Sequence, residues 1–364
     1  MGLCSIIEGG NLHKGPLEGF KVLDMSSVVS GPMAAVMLAD QGADVVKIEP
    51  PGWGDGIRRL GANRNGLSAI YAMINRNKRS LALNFKHPRG KDLLVRLVEQ
   101  SDVLLQNYRP RKLDRIGLGY EDLKVVNENL IYTSISGMGS VGPYASQRVY
   151  DYVIQGLSGV LDAQADGGDM KMVRTIIYDK VTALLAAQAI TAALLARERG
   201  QGGQHVELSM LDGAVYFNWP DLMWNYSFKG QGVQYAGDLA DIYEISKTRD
   251  GAIVSNYLGA DTSGYETDQL VDLLVANEIP VARANRREDV LTDPQVEASE
   301  MLREFEHPRG GPMLLPRNAA KFSNSPELPQ QPSAELGQHT YEILKTVGLE
   351  LSEMKELSRL GVIG

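Results

Sequence analysis

Lys21-Val-Leu-Asp-Met25, Ser30-Gly-Pro-Met-Ala-Ala-Val-Met-Leu-Ala-Asp-Gln-Gly42 and Ala43-Asp-Val-Val-Lys-Ile-Glu49 are the three consecutive segments on which the fold turns. The first reads as a buried strand. The second reads as a helix, with Ser30 near its cap, Pro32 in its first turn and Gly42 at its end. The third reads as another strand, closed by Pro50-Pro51. The same alternation continues outward. Strands are expected at 80–84, 102–106, 129–135 and 205–210, and helices at 90–100, 179–199 and 211–229. Strands alternating with helices predict an α/β fold whose mostly parallel sheet is covered on both faces. On such a sheet the strand-to-helix loops are the expected ligand edge.

Beyond 229 the pattern changes. Residues 241–248 and 252–257 read as a β-hairpin about the Arg249-Asp250-Gly251 turn, followed by a helix at 267–277 and charged loops. Gln330-Gln-Pro-Ser333 reads as a linker before two amphipathic helices. The expected division is a large domain over 1–225, a linker and smaller α+β domain over 226–330, and C-terminal helices at 331–364 that return to the large domain.

At 364 residues with 43% hydrophobic and 23% charged residues, the composition is that of a soluble enzyme. A single Cys4 excludes an internal disulfide framework and fits a reducing compartment. The apolar run 181–195 is shorter than a membrane span of roughly 18 residues. The N-terminus has neither a cationic leader region nor the Ser or Thr at position 6 that myristoylation needs. The expectation is a cytoplasmic protein with no membrane partner.

The net charge of −8 hides an asymmetry. Between Arg58 and Arg115, fourteen Lys or Arg face four acids, a net of +10, which leaves −18 for the rest. A solvated positive face is one reading, and a compact polyanionic ligand is the other. Nucleic acid fits less well, because the acidic remainder repels a long phosphate backbone.

Asp179 stands where the apolar step Thr175-Ile-Ile-Tyr178 meets the nearly uncharged helix 181–195, which reads as buried all round. A carboxylate there either caps the helix or is held in a dry site for nucleophilic or acid–base work. Other chemistries find less support. Gly137-Met-Gly-Ser-Val-Gly142 is a literal G-x-G-x-x-G, but Pro143 follows at once and it sits on a late strand, so a flexible glycine loop is the better reading than a dinucleotide site. The five histidines are scattered without metal-ligand spacing, and no G-x-S-x-G is present.

The joint pattern resembles the class III CoA-transferases, a group that includes formyl-CoA and carnitine CoA-transferases, with acyl-CoA racemases as relatives. It is carried by Gly19–Asp24, Ser30-Gly-Pro32, Gly42–Glu49, Asn77–Asn84, Asn107-Tyr108, Leu113–Gly117, Gly142-Pro-Tyr144, Tyr150-Asp151, Asp179, Gly202–Asp212, Leu336–Thr340 and Leu357–Ile363, in order along nearly the whole chain. The resemblance implies a large Rossmann-like parallel-sheet domain, a smaller α+β domain, and chains interlocked in a homodimer. It implies coenzyme A and acyl-CoA as substrates, with no tightly bound cofactor and no metal. Asp179 takes the place of the family's nucleophile, attacking the thioester to form a mixed anhydride and then an aspartyl-CoA thioester. The implied CoA contacts are Val29 and Ser30; Leu83, Asn84, Phe85 and Lys86; Asn107, Tyr108, Arg109 and Arg115; and Arg148, Val149, Tyr150 and Asp151. The helix N-terminus is expected to supply N–H donors to developing oxyanions.

Several positions depart from the family pattern. Pro50 replaces a CoA-binding Arg, leaving Arg58 or Arg59 as substitutes, and Val29 replaces a glutamine of formyl-CoA transferase. Tyr150 stands where the racemases carry His, and the chain is short between Tyr257 and Thr267. The expected function is transfer of CoA from an acyl-CoA to a carboxylic acid. A racemase or epimerase using Asp179 as base is the runner-up, ahead of a non-catalytic CoA-binding homologue and a nicotinamide-dependent oxidoreductase.

Overall fold

Six parallel strands form the main sheet: β1 (Lys21–Asp24), β2 (Asp44–Glu49), β3 (Lys78–Ala82), β4 (Val103–Gln106), β5 (Ile131–Ser136) and β6 (Gln204–Ser209). Their spatial order is β3-β2-β1-β4-β5-β6, with every pairing parallel. The chain therefore winds outward one way from β1 and then returns to wind the other way from β4, the doubly wound arrangement of dinucleotide-type folds. The computed structural model describes residues 15–165, 167–256, 259–325 and 328–364. Cys4, Ile6, His13 and Tyr257, on which the sequence expectations touch, lie outside them.

Period-2 alternation decides which layer each strand residue joins. Val22, Val45, Val103, Leu105 and Ile131 face one side, where Ala34, Ala35 and Leu38 of α1 (Ser30–Ala39) interlock with α4 (Ile177–Ala196) through Ala183, Ala186 and Ile190. Leu23, Val46, Leu81 and Leu104 face the other, against α2 (Pro88–Val98), α7 (Thr340–Thr346) and α8 (Leu351–Arg359). Small alanine side chains let α1 and α4 lie close together, and each buried leucine on the far side contributes roughly 1.5–3 kcal/mol. Residues 362–364 also join the β3 edge. Asn84 N–H donates to the Val362 carbonyl at 2.8 Å, and Leu83 bridges Ile363.

The described residues form two compact units, one drawn from 15–158, 172–214 and 304–364, the other from 159–171 and 215–303. In the smaller unit β7 (Glu244–Lys247), β8 (Ala252–Ser255) and β9 (Val281–Arg283) make an antiparallel sheet, with α6 (Thr267–Ala276) packed on Ile253 through Leu270 and Leu274.

Several elements differ from expectation. Residues 241 and 242, expected as strand, belong to a 3-10 turn over Leu239–Ile242, and the helix expected at 211–229 is α5 (Met210–Leu222), with Pro220 inside it. The third strand lies two residues earlier than expected, at Lys78–Ala82. Helix α4 runs on through a π-helical turn to Gln201, and Ile177–Gln201 is long and apolar enough to cross a membrane by length and composition, which a count stopped at Leu195 misses. Nor is α4 buried all round: one face enters the core between α1 and the sheet, while Leu184 and Leu195 on another are 57% and 52% exposed.

Candidate active site

At the carboxyl ends of β1 and β4 the two connections leave in opposite directions, which opens a crevice between them. Its β1 lip is held from below. Asn107 clamps Ser27 twice, accepting from its N–H at 2.8 Å and donating to its carbonyl at 2.7 Å. The Asp55 carboxylate accepts from Val28 N–H at 3.0 Å and pairs with buried Lys47 at 3.3 Å, and Lys47 in turn donates to the Ser26 carbonyl. Breaking one partner of such a buried ion pair costs roughly 3–5 kcal/mol, so the lip is stiff. Val28 itself has φ of +67°, a left-handed conformation that is costly for a β-branched residue.

The crevice has a volume of about 450 Å³, and its lining includes Ser30, Asn107, Tyr108, Arg109, Arg148, Val149, Tyr150 and Asp179. These eight of the fifteen residues singled out from sequence are brought together. The other seven are placed differently. Val29 is buried in a small core with Ile57 and Tyr71. The side chains of Leu83 and Phe85 belong to the main core, where Phe85 meets the Tyr108 ring edge-on at 5.9 Å. Asn84 is half-buried beneath the Lys86 N–H, and Lys86 and Arg115 are exposed. Asp151 is buried at 4% exposure and turned away from the crevice.

Asp179 is the third residue of α4, half-buried, and it is not the cap of its helix. That role belongs to Asp151, at the start of α3 (Asp151–Leu157), whose Oδ2 accepts from the N–H groups of Tyr178 at 2.6 Å and Asp179 at 3.1 Å. The first N–H groups of α4, expected as oxyanion donors, are thus already occupied. Burial pushes the Asp179 carboxyl up to about 6, and the negative charge of Asp151 adds to the rise. Hydrogen bonding from the Ser30 N–H and hydroxyl pulls in the other direction. A carboxyl so placed is still largely ionised at neutral pH, yet more basic and more nucleophilic than an ordinary aspartate.

The basic island splits in two. Arg58 pairs with Glu49 at 2.6 Å and lies over the Tyr71 ring, while Arg59 lies over Trp53 and donates to its carbonyl, so both candidate replacements for the missing Arg at Pro50 are already engaged. Arg76, Lys78, Arg79 and Arg89 are likewise paired, with Asp40, Asp24, Asp44 and Glu353. Around the crevice the opposite holds. Burial and the like charges of Lys86 and Arg109 depress the Lys112 ammonium, which lies 4.8 Å from the Tyr108 ring centre. Three cations crowded without an acid among the described ion pairs suit an anionic ligand.

Sequence reading missed Lys112, Ser27 and Gly137. Lys112 lay inside the basic island but outside any motif. Gly137 was assigned only to a flexible loop, yet it lines the crevice, and a Cβ there would stand 2.5 Å from the Val149 side chain.

A parallel sheet in this order, an aspartate at a helix start in the switch-point crevice and a cationic rim give an α/β fold whose crevice suits an anionic ligand. The sequence matches the model of CoA-transferase family III over residues 17–263 and 254–340, and the chain belongs to that family. It is similar to the succinate–glutarate CoA-transferase of Agrobacterium fabrum, 34% identical over 91% of this chain and 96% of the relative. It is 32% identical to the succinyl-CoA:glutarate CoA-transferase of Homo sapiens, over 91% and 86% of the two chains. Among solved structures it is similar to a CAIB/BAIF family protein from Brucella suis, with a TM-score of 0.80, 28% identity and coverage of 92% and 100%.

Proposed function

We propose that this class III CoA-transferase moves CoA from an acyl-CoA to a carboxylic acid with Asp179 as the attacking group. The observation that carries the reading is the placement of Asp179, half-buried at the switch-point crevice with its carboxyl raised to about 6. In the first step an Asp179 carboxylate oxygen bonds to the thioester carbonyl carbon, the C–S bond breaks, and CoA leaves as thiolate with a mixed anhydride behind it. The thiolate then attacks the Asp179 carbonyl carbon and expels the donor acid, leaving an aspartyl-CoA thioester. The acceptor carboxylate attacks that thioester and releases thiolate. Thiolate attack on the acceptor's acyl carbon then frees Asp179 and the new acyl-CoA. No proton is gained or lost overall, and each step exchanges groups of similar energy.

Arg109, Lys112 and Arg148 would hold the anionic parts of the substrates, with Asn84, Lys86 and Arg115 as outer CoA contacts. The names of the two relatives favour short dicarboxylic acids as acceptors, and the cationic rim supports the same substrate class by chemistry. We further read the chain as one half of a homodimer. The uncovered stripe of α4 through Leu184 and Leu195, and exposed Tyr216, Phe217 and Phe228, support this as apolar surface suited to a second copy.

The test is chemical. Incubation with succinyl-CoA and a panel of other acyl-CoAs, quenching with borohydride or hydroxylamine and peptide mass spectrometry should place the adduct on Asp179. Deuterium exchange at the acyl α-carbon with no adduct would sink the transfer mechanism.

A further inference from the structure

We infer that Asp151 and Gln155 form a positioning clamp for the nucleophile: Asp151 fixes the first turn of α4, and Gln155 ties that carboxylate to the chain leading into it. The inference rests on the reading of Asp179 as the attacking group. Neither side chain lines the crevice, and both are nearly inaccessible, at 4% and 2% exposure. Asp151 Oδ2 takes the N–H of Asp179 itself, so the nucleophile's own backbone is anchored. Gln155 donates to the other oxygen, Oδ1, at 2.6 Å and to the carbonyl of Thr175 at 3.1 Å, and it accepts from Val173 N–H at 3.1 Å. One carboxamide thus joins the cap to the segment that enters α4. A 1 Å error in a reacting group costs on the order of 100-fold, so this anchoring matters to rate.

The clamp is also electrostatic. A second carboxylate beside Asp179 disfavours its ionised form and makes it more basic. The other charges near Asp179 act from elsewhere. Lys180, next on α4, donates to Thr175 Oγ1, and Arg109, Lys112 and Arg148 line the crevice. From α1 the neighbour is uncharged Ser30. An amide in its place could accept from Tyr178 and Asp179 through its one oxygen but would turn an N–H toward Gln155, so only the acid closes both ends of the clamp. The choice of an acid therefore sets nucleophilicity as well as position.

The experiment uses the full chain with Asp151→Asn, which keeps shape and an acceptor oxygen for Tyr178 and Asp179 but removes the charge and the acceptor for Gln155, and Gln155→Leu, which keeps the charge but loosens the tether. For Asp151→Asn the acid limb of kcat/KM should move down by about one pH unit from its wild-type position. The Asp179 carboxyl, followed by carbon NMR and identified by its absence in Asp179→Asn, should move with it. For Gln155→Leu the limb should stay in place while kcat falls about 10-fold and KM holds. An unmoved limb and titration in Asp151→Asn, or wild-type kcat in Gln155→Leu, overturns the clamp. Should Asp151→Asn not fold, Gln155→Leu decides alone. Failure of the nucleophile reading is seen separately, as a wild-type enzyme that traps no adduct on Asp179, and the NMR titration still reads the charge.

Discussion

The two helices that begin at the crevice do so in opposite ways. Helix α1 starts at Val29, which offers no side-chain cap, and its approach is held by Asn107 and Asp55 reaching in from other elements. Helix α4 starts at Ile176, equally without a cap of its own, but a buried carboxylate from α3 closes its first turn. The difference separates two tasks. The uncapped end of α1 turns its first N–H, that of Ser30, onto Asp179, whereas the closed end of α4 immobilises the residue that rides on it.

The largest effect that tests this contrast belongs to Asp179→Asn. Transfer should fall by at least roughly 1,000-fold, because no carboxylate remains to form the anhydride. The same variant should be more stable than wild type near pH 8. The folded carboxyl, at about 6, lies above the 3.8 of an ordinary aspartate, so its contribution to stability is complete below about pH 4 and is lost as pH rises through 6. Half-burial limits the gain to about 1–3 kcal/mol, seen as a higher urea midpoint at pH 8 that vanishes at pH 4. Equal midpoints at both values would mean the carboxylate is not strained by its surroundings.

Next in size is Asn107→Ala, which deletes both bonds to Ser27 and frees the α1 lip. KM for acyl-CoA should rise about 10-fold and stability fall by about 1–2 kcal/mol, and the acid limb of the rate profile should move up, because Ser30 on the loosened lip donates to Asp179 and holds its carboxyl down. An unmoved limb would show that the loosening stops short of Ser30. In wild type that limb should fall near 6, from kcat/KM measured between pH 5 and 8. Smallest is Val28→Gly. Relief of the left-handed strain offsets lost packing against the Ile57 and Tyr71 cluster, so the urea midpoint should change by less than about 1 kcal/mol equivalent.

The sheet was legible because its signal is local: apolar runs such as Val103-Leu-Leu105 and the caps and glycines around α1 each report on a few neighbouring residues. Asp179 was legible as a residue but not as an environment. Its partner Asp151 lies 28 residues earlier in the chain, and nothing in the spacing says that Asp151 turns inward to cap α4 rather than outward to a ligand. The basic island shows the same limit. Composition gave its charge, but only the fold distinguishes Arg76, spent on Asp40, from Lys112, left at the crevice. Val28 had no signal at all, since a left-handed valine is imposed by Asp55 and Asn107 from a distance.

The joining of residues 362–364 to the end of β3 carries a consequence for how the protein is made. The edge of the nucleotide-type sheet borrows its last backbone partners from a segment translated about 280 residues later, and contacts of that separation form slowly. During synthesis, β1, β2 and β3 emerge early and must wait on the ribosome with one edge open. Leu83 and Asn84 therefore gain these backbone partners only when residues 362–364 arrive.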